Sequence, residues 1–496
     1  MRKEFIYILL LAASAFGDVA AQSGPKREFR GAWLPTVTGN YMGMSENEMK
    51  SVLLQELNAL ENIGINAILF QIRPEADAWY KSDFEPWSRF ITGSQGKNPG
   101  WDPTAFMVEE CHKRGIEFHA WINPYRVKTN NGNSLSSNHI YYNHPEWFME
   151  YGGQTFFNPA LQESRDFICF VIRDILSKYD VDAIHMDDYF YPYPKDNEEI
   201  DDDFYFKVYG KGYRNKDDWR RNNVNMLIEQ IHKTIKEEKP YVQLGISPFG
   251  IYRNKSSWPK GSDTNGLQNY DDLYADVLLW ADKGWVDYLI PQIYWEIGHR
   301  AADYDRLVDW WADNVNGDCA LYIGQDVVRT VNARDLNYPK NQLDAKILKQ
   351  RARHEIDGFC FWPGRELIDN KGNYTTDLVN RYFKNPALSP VIDRFASHKP
   401  GAVRKMKAVW TIDGYVLFWT APKVKSELEK PVKYCVYRFG SKEKVNLEDS
   451  SKLIEITTDP YISLPYDNGK KRYKYVVTSV DRFNNESKAK TKKVKL

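Results

Sequence analysis

Between Arg30 and about Phe383 the chain alternates short apolar runs with longer stretches of helical periodicity. That is the pattern of repeated strand–helix units around a parallel sheet. Eight runs read as strands, at residues 31–35, 66–73, 117–123, 183–188, 242–248, 288–296, 320–325 and 358–363. Amphipathic helices fit between them, for example over 46–62, 104–114, 163–179 and 219–238. Eight such units predict an α/β fold of the (β/α)8 or TIM-barrel class, enlarged by loops. A doubly wound open sheet is the competing reading, but no glycine-rich phosphate fingerprint follows the first strand. Long segments after strands two to five, at 74–100, 125–153, 191–216 and 252–270, read as loops. All lie on the carboxyl side of their strands, the face where barrel sites form.

The helical pattern stops near Asn385, which bounds a barrel domain at 26–385. Residues 386–404, with Pro386, Pro390 and Pro400, read as a linker. The remainder, 405–496, alternates like short strands and predicts a small all-β sandwich. The first 21 residues read as a secretory signal, with Arg2 and Lys3, an apolar run over 5–13 and the small-residue site Val19-Ala20-Ala21. Export to the periplasm or the exterior is the expectation. The apolar run is far short of the ~20 residues needed to span a bilayer. No later segment is long and apolar enough either, so no integral membrane segment is expected after signal removal.

Basic and acidic side chains number 67 each, so no net field draws the chain to nucleic acid or an anionic membrane, and only a local basic patch is left open. Five scattered cysteines without CxxC spacing argue against a disulfide framework and against structural zinc. No cofactor is expected. Aromatics are abundant, with 16 Trp, 32 Tyr and 24 Phe, which suits a sugar-binding surface without establishing one.

The candidate chemistry sits where the fourth and sixth strands end, in IHMDDYFYP (184–192) and LIPQIYWE (289–296). Strand periodicity of two sorts the side chains. Gln71 and Arg73, then His119, Trp121 and Asn123, then His185 and Asp187, then Gln292, Tyr294 and Glu296 share inward faces. Asp187 is thereby favoured over Asp188 as the inward acid, with an ion pair to Arg73 as its structural alternative. The catalytic candidates are Asp187, Asp188 and Glu296. One carboxyl with a raised pKa protonates a leaving glycosidic oxygen, while an ionised one attacks carbon or activates water. Adjacent Asp187 and Asp188 also have the means to push one pKa up between themselves. Arg73, His119, Trp121, Asn123, Arg126 and Gln292 are expected as polar contacts at the same mouth. Tyr189, Tyr191, Tyr193, Trp295 and Trp362 are expected as stacking faces for sugar rings, and Tyr294 as a further substrate contact.

FRGAWLPTV, QIRPEADAWY, HAWINPYR, IHMDDYFYPYP and IPQIYWE, in that order, resemble the bacterial glycosyl hydrolase-like family 10 over about 28–383. The resemblance implies a (β/α)8 barrel in an exported protein acting on an oligo- or polysaccharide. Peptidoglycan-type or poly-N-acetylglucosamine-type glycans are the implied substrates. It puts the acidic site on Asp187 and Asp188, with Glu296 beside it. The tail, with YVVTSVDRFNNES (475–487), looks like a fibronectin type III-like module.

Two rivals stand beside a glycoside hydrolase. A non-catalytic sugar-binding barrel would keep the aromatics and tolerate loss of the acids. A metal-dependent hydrolase would use His119, His185 and Asp187, but the His-x-His pair usual on a barrel strand is missing. The sugar, its linkage and the oligomeric state are not encoded in any motif.

Overall fold

The computed structural model describes residues 24–496 except 316, 335–339, 398 and 425. The signal segment expected at 1–21 lies outside them. Eight parallel strands close into a barrel: β1 (Phe29–Leu34), β2 (Ala67–Arg73), β3 (Glu117–Ile122), β4 (Ala183–Met186), β5 (Gln243–Ile246), β6 (Tyr288–Leu289), β7 (Ala320–Asp326) and β8 (Gly358–Trp362). Neighbours in space are neighbours in sequence, and β1 closes the ring by pairing with both β2 and β8. Every expected strand is present, and the helices fall at Glu46–Ile63, Pro103–Lys113, Gln162–Lys178 and Lys216–Glu238.

Alternation along the strands divides the core in two. Ile68, Phe70, Ile72, Phe118, Ala120, Ile122, Ile184 and Met186 face the helices. Phe29, Trp33, Leu69, Trp121, Tyr288, Tyr322 and Cys360 fill the interior. Phe29 stacks on Tyr322 with centroids 3.9 Å apart. Gly245 makes room for this filling, because a Cβ there would stand 1.8 Å from the Tyr288 ring. The first helix starts in a capping box in which Ser45 accepts from the Glu48 amide and Glu48 accepts from the Ser45 amide. Ser45→Ala is therefore expected to cost about 1 kcal/mol in a urea melt.

Loops after the strands carry structure of their own. The stretch expected as loop at 125–153 contributes to a three-stranded antiparallel sheet of Arg126–Lys128, Phe148–Tyr151 and Gln154–Phe157. The 191–216 segment contains a helix, Asp203–Tyr209.

Two further sheets form the carboxyl-terminal sandwich. One has three strands, β9 (Arg404–Thr411), β10 (Gly414–Thr420) and β13 (Tyr461–Ser463), in the order β9-β10-β13. The other has four, ordered β12-β11-β14-β15, from β11 (Lys433–Gly440), β12 (Leu453–Thr457), β14 (Arg472–Val480) and β15 (Lys490–Lys495). The sandwich seats against the amino ends of the barrel strands. Asn484 donates to Glu117 at 3.0 Å, Thr458 to the Lys113 carbonyl at 2.8 Å, and Arg482 pairs with Asp180 at 2.8 Å. Within the segment expected as a linker, Leu388 is fully buried against Tyr437, Phe439 and Val480 and bridges to Arg27. The prolines suggested a tether, but Leu388 anchors the two parts together.

Candidate active site

Strand β4 ends at Met186, so Asp187 and Asp188 lie just beyond it, where alternation no longer applies. Both acids are consequently buried at the barrel mouth, at 5% and 2% exposure. Alternation favours Asp187 over Asp188 as the inward acid, but burial alone does not separate the two.

Asp187 is held by its neighbours. The Asn123 amide donates to both carboxylate oxygens at 2.7 and 2.6 Å, and the Trp121 indole donates to one at 3.1 Å. Asn123 is fixed in turn, because its carbonyl oxygen accepts from Gln71 at 2.8 Å and from Arg126. Burial raises the Asp187 pKa, while Arg126, Asn123, Trp121 and the Tyr189 amide act against that rise. Asp188 has fewer compensations. Burial and the neighbouring Asp187 charge push its carboxyl up to about 7, opposed by hydrogen bonds from Tyr193 and Gln292. Asp187 is thus the better compensated carboxyl of the pair, and Asp188 is the one that burial and its neighbour's charge raise to about 7.

Aromatic side chains wall the mouth. Tyr189 is 40% exposed, with the Arg126 guanidinium 5.0 Å from its ring centroid. Tyr294 stacks on Trp362 at 6.4 Å, and Trp121 meets Trp362 edge-on at 6.3 Å. Trp295 packs on Phe249 at 5.4 Å, and Phe249 on Tyr193. Phe249, Trp33 and the role of Tyr193 as donor to Asp188 were not legible as site features. For Phe249, its place immediately beyond a barrel strand was the available signal.

Loop-to-loop bonds hold the rim. Lys195 donates its amide to the Tyr151 hydroxyl at 2.7 Å, and the Gly152 amide donates to Glu198 at 2.8 Å. Glu75 accepts from Arg89 and from the Thr129 amide, each at 2.7 Å. Beside it Asp77 is pushed up to about 7 by burial and by the Glu75 charge.

Four expected site residues lie elsewhere. Arg73 sits at a register shift between β2 and β3, and its guanidinium is taken up by Glu85 (2.6 Å) and by the Asn123 and Pro124 carbonyls, not by Asp187. His119 is buried deep in the interior between Tyr288 and Glu117. Tyr191 is 1% exposed and packs against Tyr274 and Arg220 outside the mouth. Glu296 departs because regular pairing in β6 stops at Leu289, before Pro291. Gln292 still reaches Asp188 and Tyr294 the interior aromatics. Glu296, however, lines a separate cavity of about 320 Å³ with His299, Arg329, Asn332 and Arg334. Among the described residues no hydrogen bond or ion pair links its side chain to Asp187 or Asp188.

His185 lies beneath the acids and is kept neutral, its pKa lowered well below the usual value by burial. Its Nε2 faces the Trp33 indole N–H at 3.2 Å and the Ser247 hydroxyl at 3.1 Å, so Nε2 accepts and Nδ1 carries the hydrogen. That N–H donates to the Tyr288 hydroxyl, which in turn donates to His119 Nδ1 at 2.8 Å. His119 then presents Nε2–H to Glu117 at 3.3 Å. Both imidazoles are thereby occupied, and the described residues contain no group of three His, Cys, Asp or Glu able to hold a metal.

A closed barrel with two buried carboxyls among aromatics at its carboxyl mouth has the layout of a carbohydrate-processing barrel. The chain belongs to the glycosyl hydrolase-like 10 family, whose model matches residues 28–341. It is 40% identical over 480 residues to the glycosyl hydrolase YngK of Bacillus subtilis, covering 95% of this chain and 94% of that one. It is 39% identical over 317 residues to the glycosyl hydrolase DigH of Escherichia coli K12, covering 60% of this chain and 72% of that one. Among solved structures, the glycoside hydrolase domain of PgaB (BpsB) from Bordetella bronchiseptica aligns at TM-score 0.49 and 10% identity, covering 72% of this chain and 99% of that one.

Proposed function

We propose that this chain is an exported glycoside hydrolase that cleaves an oligo- or polysaccharide with Asp187 and Asp188. Asp188 is the general acid that protonates the departing glycosidic oxygen. Asp187 is the carboxylate that attacks the anomeric carbon or activates water. The observation that carries this reading is the split between the two acids: one clamped by Asn123 and Trp121, the other raised to about 7. Tyr189, Tyr294, Trp295 and Trp362 offer aromatic faces to the sugar rings. The family resemblance favours an amino-sugar polymer of the cell envelope. The three-plus-four strand order of the tail supports its reading as a fibronectin type III-like module.

A panel of envelope and dietary glycans, with products followed by mass spectrometry and anomeric NMR, tests the assignment. Loss of cleavage is expected in Asp187→Asn and in Asp188→Asn. Unchanged turnover in both folded variants sinks it. A binding barrel without catalysis is the second reading, favoured if glycans bind but no panel member is cut.

Tyr193→Phe gives a finer test. Removing the hydroxyl that donates to Asp188 takes away a bond that holds its pKa down, so the alkaline limb of kcat against pH moves upward. A limb that stays in place or moves to lower pH denies Asp188 the acid role.

A further inference from the structure

The balanced charge of the whole chain hides an unequal division. Residues 404–496 carry 21 Lys and Arg against 11 Asp and Glu, a net of +10, while residues 1–403 carry 46 against 56, a net of −10. The sandwich is thus the basic part of the protein, and its basic groups are unevenly placed.

The turn between β9 and β10, residues 411–414, lies at the far end of that hairpin from the connection to the barrel. Ile412 at its apex is fully exposed, and Trp410 beside it is 61% exposed. Trp410 stacks on Tyr415 at 5.1 Å and meets Tyr466 edge-on at 4.9 Å. Tyr466 is itself 48% exposed. This apolar tip is out of place on a water-facing surface. The same end of the sandwich carries Lys470, Lys471, Arg472 and the terminus of β15, where the Lys471 and Leu496 backbones pair. Lys490, Lys492, Lys493 and Lys495 of β15 are exposed and, with Arg472, make no ion pair among the described residues. Asp467 offsets only part of this charge, at 4.0 Å from Lys470 and 3.4 Å from Lys471.

Lysines on an edge strand also guard against strand pairing between molecules, and that alone would explain β15. It does not explain an exposed Ile and Trp at the adjoining turn. Interfacial Trp and Tyr with a shallow aliphatic residue, ringed by Lys and Arg, is the chemistry of a peripheral contact with an anionic bilayer. We infer that the tip formed by Trp410, Ile412, Tyr415 and Tyr466, with the basic end of β14 and β15, docks the protein onto an anionic lipid surface. The seam between sandwich and barrel lies at the amino ends of the barrel strands, opposite the mouth holding Asp187 and Asp188. Docking by this tip therefore leaves the mouth open to a polymer. The inference is independent of whether the mouth hydrolyses glycans.

All five native cysteines are buried, so Ile412→Cys in the full chain places a single accessible thiol at the apex for an environment-sensitive fluorophore. With vesicles of phosphatidylcholine mixed with phosphatidylglycerol, the label emission rises and shifts to the blue. With phosphatidylcholine alone the response is weak, and high salt diminishes it. Adding Lys492→Gln, Lys493→Gln and Lys495→Gln raises the lipid needed for half the signal by about tenfold. Attachment through any other part of the chain leaves the label silent, and a silent label overturns the inference. So does an equal response to neutral vesicles. A response to soluble chitin oligosaccharides without one to vesicles assigns the tip to sugar and overturns it as well.

Discussion

Asp188→Asn is expected to lower glycan turnover by roughly two to four orders of magnitude while making the protein more stable above neutral pH. The two effects share one cause. In the folded chain burial and Asp187 hold the Asp188 pKa at about 7, against ~3.9 in an unfolded chain. A carboxyl with a raised folded pKa contributes its full stability below the unfolded value. That contribution is lost progressively as pH rises from ~3.9 to about 7, because the unfolded state releases the proton first. Asparagine carries no such dependence. Urea melts at pH 5 and pH 8 are therefore expected to show the smaller difference at the lower pH, about 1–2 kcal/mol. At the higher pH the variant gains on the order of 2–4 kcal/mol. Asp77, also raised to about 7, is present in both proteins and cancels in the comparison. Equal stability at pH 8 would remove the basis for treating Asp188 as the protonated partner.

The second large effect concerns the fold of the mouth. Arg73 is wholly buried, and Glu85 takes its guanidinium through both Nε and Nη2, the closest contact being 2.6 Å. Glu85→Ala leaves a buried cation without its anion, which is expected to destabilise by about 3–5 kcal/mol. The double variant Arg73→Met with Glu85→Leu removes both charges and is expected to be more stable than Glu85→Ala alone. Turnover should also fall in Glu85→Ala, since Arg73 holds the Asn123 carbonyl and Asn123 clamps Asp187. If the double variant is the less stable of the two, the ion pair stabilises beyond satisfying its own charges.

Strand positions and the polar inner face were legible because alternation depends only on local backbone geometry. Gln71, Trp121, Asn123 and His185 all lie on the predicted side. Legibility failed where the backbone stops being regular. Asp188 turned inward because β4 had already ended. Glu296 was assigned a face by extending β6 through Pro291, although the regular strand ends at Leu289 and only isolated bridges at Gln292 follow it. Arg73 left the inner row at a register shift, and no pattern in the chain announces that Glu85, twelve residues on, would return to meet it. Tyr191 is expected as one of a row of stacking faces, but Arg220 and Tyr274 arrive from distant segments to cover it. Leu388 shows the same limit from the other direction: one apolar residue among prolines became the anchor of the seam.

The column that descends from Trp33 through His185, Tyr288 and His119 to Glu117 runs in one sense only. Each donor already has its acceptor, so neither imidazole has a hydrogen to lend upward. On the proposed reading, the proton that Asp188 gives up is therefore not replaced from below through the barrel axis and must return from the solvent side.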